Sequence, residues 1–88
     1  MQVTVVEIVN RAGMHARPAS EFVKLAGSFA SEVWVEKDGL RVNAKSIMGV
    51  LMLAAECGSQ LRIEANGDDA DAALAALTSL VERGFEED

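Results

Sequence analysis

Eighty-eight residues, half of them apolar, carry eight basic against fourteen acidic side chains, a net charge of −6. That length fits a single domain over residues 1–88 and excludes a second, and the acidity argues against nucleic acid, whose phosphates require clustered cations. With no apolar run near the roughly 18 residues of a membrane span and no signal peptide, a cytoplasmic chain with no membrane partner is expected.

The stretch VTVVEIV (3–9) is short, apolar and β-branched, which predicts a strand, and Asn10 to Gly13 ends it. From about Ala16 the apolar residues Ala19, Phe22, Val23, Ala26 and Phe29 recur at helical spacing, with Gly27 and Ser28 as the stop; Phe22 is assigned to the core. EVWVEK and LRVN alternate with period two around Asp38 and Gly39. An Asp-Gly pair there predicts a hairpin, because a type I′ turn needs positive φ at both central residues. Val33 and Val35 then face inward, and Trp34 lies on the opposite face with Glu32 and Glu36.

Ser46 precedes a strongly apolar helical run, IMGVLMLAAE, expected to end near Cys57 and Gly58. QLRIEA turns Leu61, Ile63 and Ala65 inward and Gln60, Arg62 and Glu64 outward. After Asn66 and Gly67, the last helix presents Ala73, Leu74, Leu77, Leu80 and Val81 as one stripe. Asp68, Asp69 and Asp71 at its start and Arg83 at its end complement its dipole. The order is β-α-β-β-α-β-α: an α+β open-faced sandwich, with all helices on one face of a four-stranded sheet. A chain this short buries only roughly 60–65% of its unfolded surface, yet its apolar content supports a modest core.

Chemistry concentrates at AGMHARPAS (12–20), which holds the only histidine and the only proline. A lone histidine is ordinarily a surface or satisfied core group, but the neighbours of His15 point elsewhere. First-turn amides of the following helix lack intrahelical acceptors and converge on an anion. Arg17 adds a guanidinium fork suited to phosphate oxygens, and Pro18 removes only an N–H that would be unpaired in the first turn. The residue before a proline is biased away from helix, which leaves Arg17 as the last non-helical or an early helical residue; either boundary keeps free donors around His15. Residues 1–50 hold six basic and five acidic side chains, residues 51–88 two and nine. Arg11, Arg17 and Lys24 therefore form a small basic patch, with Glu21 the one nearby acid in sequence. The helix N-terminus disfavours imidazolium and favours a phosphoryl group on the ring. No carboxylate pair, second histidine or catalytic lysine lies nearby in sequence to drive hydrolysis, which suits a carrier rather than a stand-alone enzyme.

NRAGMHARPAS resembles the active-site signature of the HPr family, the histidine-containing phosphocarriers of the bacterial phosphoenolpyruvate-dependent sugar phosphotransferase system, and VNAKSIMGVLML resembles that family's second signature. The likeness extends over essentially the whole chain. It implies an antiparallel sheet and phosphorylation of His15 on Nδ1, with phospho-enzyme I as donor and sugar-specific enzyme II A domains as acceptors. Arg17 carries over as the phosphate-contacting group, with Ala16 and Pro18 of the same motif in the phosphate site, and Met14 stands where leucine is commoner. No cofactor and no metal of its own is implied, although enzyme I uses phosphoenolpyruvate and magnesium. A monomer is expected.

Ser46 reads first as a helix N-cap. By resemblance, KSIMGV is also similar to the motif phosphorylated by the HPr kinase/phosphorylase, and that kinase and a transcriptional regulator are further expected partners. At least half of Ile47, Met48, Leu51 and Met52 are expected in the core; by resemblance Ile47, Met48 and Leu51, with Ser20 and Lys24, belong to the partner-docking patch. NGDDAD lacks the ligand spacing of a calcium loop and reads as helix capping. Cys57 has no partner for an internal disulfide, and Trp34 reads as incidental. Three rivals remain: an acyl carrier with a modified Ser46, disfavoured by Lys45 before it and by four strands; a regulatory relative that transfers nothing, disfavoured by His15; and a carrier of the nitrogen-regulatory branch.

Overall fold

The computed structural model describes residues 1–87. Strands β1 (Gln2–Glu7), β2 (Glu32–Lys37), β3 (Leu40–Asn43) and β4 (Gln60–Asn66) and helices α1 (Ala16–Gly27), α2 (Ile47–Met52) and α3 (Ala70–Glu82) follow in the order β1-α1-β2-β3-α2-β4-α3, with a 3-10 turn (Gly84–Glu86) after α3. The sheet is antiparallel throughout, in the order β1-β4-β2-β3. This is the βαββαβα open-faced sandwich that the hydrophobic pattern predicts.

Period-two alternation decides which face is covered. Leu61 pairs with Val6, Ile63 with Val35 and Ala65 with Val33, and all six are buried beneath the helices. Phe22, Ala19 and Ala26 of α1 and the Ala73, Leu74, Leu77, Leu80, Val81 stripe of α3 close the core from the other side. Full burial of a side chain like Phe22 contributes about 1.5–3 kcal/mol. Between β2 and β3 the turn residues Asp38 (φ 51°) and Gly39 (φ 86°) both adopt positive φ, as a two-residue type I′ hairpin requires.

On the open face, Glu64 points outward as expected but is only 5% exposed. Arg41 (2.9 Å) and Arg62 (2.7 Å) close over its carboxylate, since a buried charge persists only when paired. Arg41 also stacks 4.2 Å above the Trp34 ring, so the indole on this face is half-buried under a cation.

Two sequence expectations fail here. α2 stops at Met52 rather than near Cys57, because Ala54 takes a left-handed conformation (φ 49°) that no helix continues through. Asp69 occupies the N-cap of α3 but makes no capping bond. Its carboxylate instead accepts the backbone N–H groups of Ala30 (2.8 Å) and Ser31 (2.9 Å) and the Ser31 hydroxyl. The residue read as a cap thus ties the α1–β2 connection to the start of α3. These bonds, the Ser31 hydroxyl first and the Ala30 amide next, hold the Asp69 carboxyl below its ordinary value against the opposing effect of burial.

Candidate functional site

The loop from β1 to α1 is pinned to the segment between α2 and β4. Ile8 N–H donates to Ser59 O, Gly58 N–H to Ile8 O and Met14 N–H to Ala55 O, each at 2.8 Å. Gly13 allows this approach: it has φ 73°, and a Cβ there would lie 2.5 Å from Ala55 O. The buried Met14 side chain anchors the same loop from below. His15 follows as the N-cap residue of α1, extended (φ −84°, ψ −169°), with its carbonyl accepting Ala19 N–H at 2.9 Å. Its side chain makes no capping bond, so the imidazole stands clear of the helix end and is 44% exposed.

The helix begins at Ala16, which makes the pre-proline Arg17 helical. The N–H groups of Ala16 and Arg17 have no intrahelical acceptor and bond to nothing else among the described residues. Pro18, buried in the same turn, has no N–H to lose. The Arg17 side chain is exposed and forms no ion pair among the described residues. Two free amide donors at the helix start and an unpaired guanidinium two residues along the chain thus accompany His15, a set suited to a phosphoryl group. Ser20 and Lys24, also exposed, extend the same side of α1 from Ala16 at four-residue steps.

One acidic group at the site escaped the sequence reading, which named Glu21 as the only nearby acid. Glu87, 72 positions from His15, places Oε1 3.0 Å from its Nε2. The same oxygen accepts from Nδ2 of the buried Asn10 at 3.0 Å, and Nδ2 also donates to Gly13 O at 2.9 Å. The tail reaches this place because Gly84 and Phe85 are buried and the chain turns through positive φ at both. Glu87 N–H then donates to Gly84 O at 3.0 Å. No periodicity in the last residues announces the return; the one local hint is Asn10, a polar residue at the edge of an apolar strand. The His15 hydrogen bond is the main influence holding the Glu87 carboxyl below its ordinary value; burial opposes it, and Asn10 and the charges of His15 and Arg17 add to it.

The contact also sorts the two ring nitrogens. An ionised carboxylate only accepts, so Nε2 is the donor, and in the neutral ring the lone pair lies on Nδ1. Nδ1 makes no hydrogen bond among the described residues.

Beside α1 lies α2, capped by Ser46, whose half-buried hydroxyl oxygen accepts Gly49 N–H at 3.1 Å. Ile47, Met48 (70%), Leu51 and Met52 (65%) are all exposed. The expectation that at least half of them enter the core is wrong: Val50 and Leu53, three positions apart and so on one face, take the inward positions, and the other apolar residues fall on the face that nothing covers among the described residues. A shallow basin of about 280 Å³ adjoins His15, lined by Ala12, Met14, Ala54, Ala55 and Glu56. No helix among the described residues is long and apolar enough to cross a membrane.

Comparison with known proteins gives a family and a fold. The family model described as the PTS HPr component phosphorylation site matches residues 3–83. The phosphocarrier protein HPr of Treponema pallidum is 49% identical over 88 residues, all of both chains. An HPr crystal structure from Thermoanaerobacter tengcongensis superposes with a TM-score of 0.96 at 46% identity, covering 100% of this chain and 99% of that one. The catabolite-repression protein Crh of Bacillus subtilis, solved as a swapped dimer, gives a TM-score of 0.76 at 44% identity over 90% of this chain and 91% of that one.

Proposed function

The chain belongs to the HPr family, phosphocarriers of the bacterial phosphotransferase system, and on that premise we propose that His15 accepts a phosphoryl group from phospho-enzyme I and passes it to enzyme II A domains. The observation that carries this reading is the free Nδ1 of an exposed imidazole beside the unpaired Ala16 and Arg17 amides. Nδ1 attacks phosphorus, the bond to the donor breaks with its electron pair leaving on the donor, and the new N–P bond forms. The two amides and the Arg17 guanidinium hold the phosphoryl oxygens, where the positive end of α1 favours added negative charge. Transfer onward reverses the same steps. Pro18 fixes the backbone of that first turn. The test is phosphorylation by enzyme I and phosphoenolpyruvate, followed by discharge to an enzyme II A domain.

Docking falls to the exposed Ile47, Met48 and Leu51 of α2, with Ser20 and Lys24 of α1. Flexible methionine and aliphatic surface adapts to several partners in turn. Ser46 is a regulatory site for the HPr kinase/phosphorylase, and a transcriptional regulator is a further partner. A phosphate there adds nearly two negative charges beside that docking surface and repels an acidic partner. Kinase-dependent label lost in Ser46→Ala tests this half. The carrier works in the cytoplasm as a monomer; sedimentation at micromolar concentration tests the monomer against a swapped dimer of the kind solved for Crh.

A further inference from the structure

We infer that Glu87 is a positioning residue for phosphoryl transfer: by occupying Nε2 of His15 it presents Nδ1 to the donor and balances the charge that the ring gains as the N–P bond forms. The inference rests on His15 being the phosphoryl acceptor.

Three observations carry it. Glu87 Oε1 lies 3.0 Å from Nε2, a nitrogen that the nearby amides and Arg17 leave uncapped. The carboxylate does not hang free: the buried Asn10 donates to the same oxygen at 3.0 Å while holding Gly13 O at 2.9 Å, so the loop that sets His15 also sets Glu87. The tail is fixed independently by the buried Phe85 and the Glu87 N–H bond to Gly84 O. Nothing in the core needs this carboxylate, which reaches only Asn10 and His15 among the described residues.

The electron count explains its use. Before transfer, the neutral ring has its proton on Nε2 and its lone pair on Nδ1. When Nδ1 bonds to phosphorus, the donor departs with the electrons of its own bond to phosphorus, and the Nε2 proton stays in place. The ring then carries a positive charge next to the carboxylate. This is the role of a group that orients an imidazole and stabilises its cationic form. In the return step the ring leaves as a neutral group, again with its proton on Nε2.

Phosphoramidate tests this without enzyme I, since it delivers PO3 to an imidazole with ammonia as leaving group; phosphorus NMR of the intact chain then separates the Nδ1 and Nε2 products. Wild type is expected to give the Nδ1 isomer. Glu87→Ala is expected to react about tenfold more slowly and to give both isomers. Glu87→Gln, whose amide oxygen still accepts from Nε2, is expected to restore the single isomer but not the rate. Glu86→Gln, a tail carboxylate paired with Arg83 instead, should match wild type. An Nε2 product in wild type, or a Glu87→Ala variant with wild-type rate and isomer, overturns the inference. If phosphoramidate gives this pattern while enzyme I fails to label His15, the assigned function falls and the positioning role stands.

Discussion

Glu87 and His15, 72 positions apart, meet at 3.0 Å across the mouth of α1. The contact couples the last residues of the chain to its one imidazole, and it shifts a measurable property of the carboxylate. Glu87 is expected to titrate below its ordinary value of 4.5. Because the folded carboxyl is depressed, the tail contact is fully present above that ordinary value and is lost as the pH falls through the lower, folded one. Carboxyl-carbon NMR should show the depressed titration in wild type and its return towards 4.5 in His15→Ala. An unchanged midpoint in that variant contradicts the contact.

Arg17→Ala should slow phosphorylation of His15 by about a hundredfold, the effect of losing one preorganised donor to a charged group, while leaving the fold intact. Arg17→Lys should recover only part of the rate, since an ammonium lacks the two-pronged geometry. Rapid-quench kinetics with enzyme I checks both.

Met48 is 70% exposed on α2, where it supports no core residue. Met48→Ala should raise the KM of enzyme I for this chain several-fold with little change in kcat, the signature of lost binding shared by ground and transition states. A fall in kcat at constant KM would place Met48 in the chemistry instead.

Phe22→Ala should remove about 3–5 kcal/mol of stability by opening a cavity beneath α1, measured by urea denaturation. Gly13→Ala should destabilise by a smaller amount, about 1–3 kcal/mol, yet displace His15 more, because its Cβ would collide with Ala55 O at 2.5 Å. Amide-shift perturbations centred on residues 10–17 should distinguish the two variants.

The legible parts of this fold are those governed by local periodicity. EVWVEK and LRVN around Asp38-Gly39 specify a hairpin because side-chain alternation and turn chemistry agree, and the α3 stripe is readable for the same reason. The end of α2 is not legible: LMLAAE has helical composition throughout, and the chain leaves the helix in a left-handed turn at Ala54, just before Ala55 O accepts Met14 N–H. Asp69 misleads in a related way, since a good capping residue is drawn to the Ser31 and Ala30 donors of another connection. At the site, His15, Ala16, Arg17 and Pro18 are contiguous and readable together. Glu87 is not, because only the buried Phe85 and the turn at Gly84 bring it back to Asn10 and His15.

The most direct measurement of the central claim incubates the chain with enzyme I and phosphoenolpyruvate and follows intact mass before and after mild acid. One acid-labile phosphoryl group on wild type, absent from His15→Ala and dischargeable to an enzyme II A domain, is the expected result. Label that survives in His15→Ala, or a wild-type chain that takes up none, would contradict it.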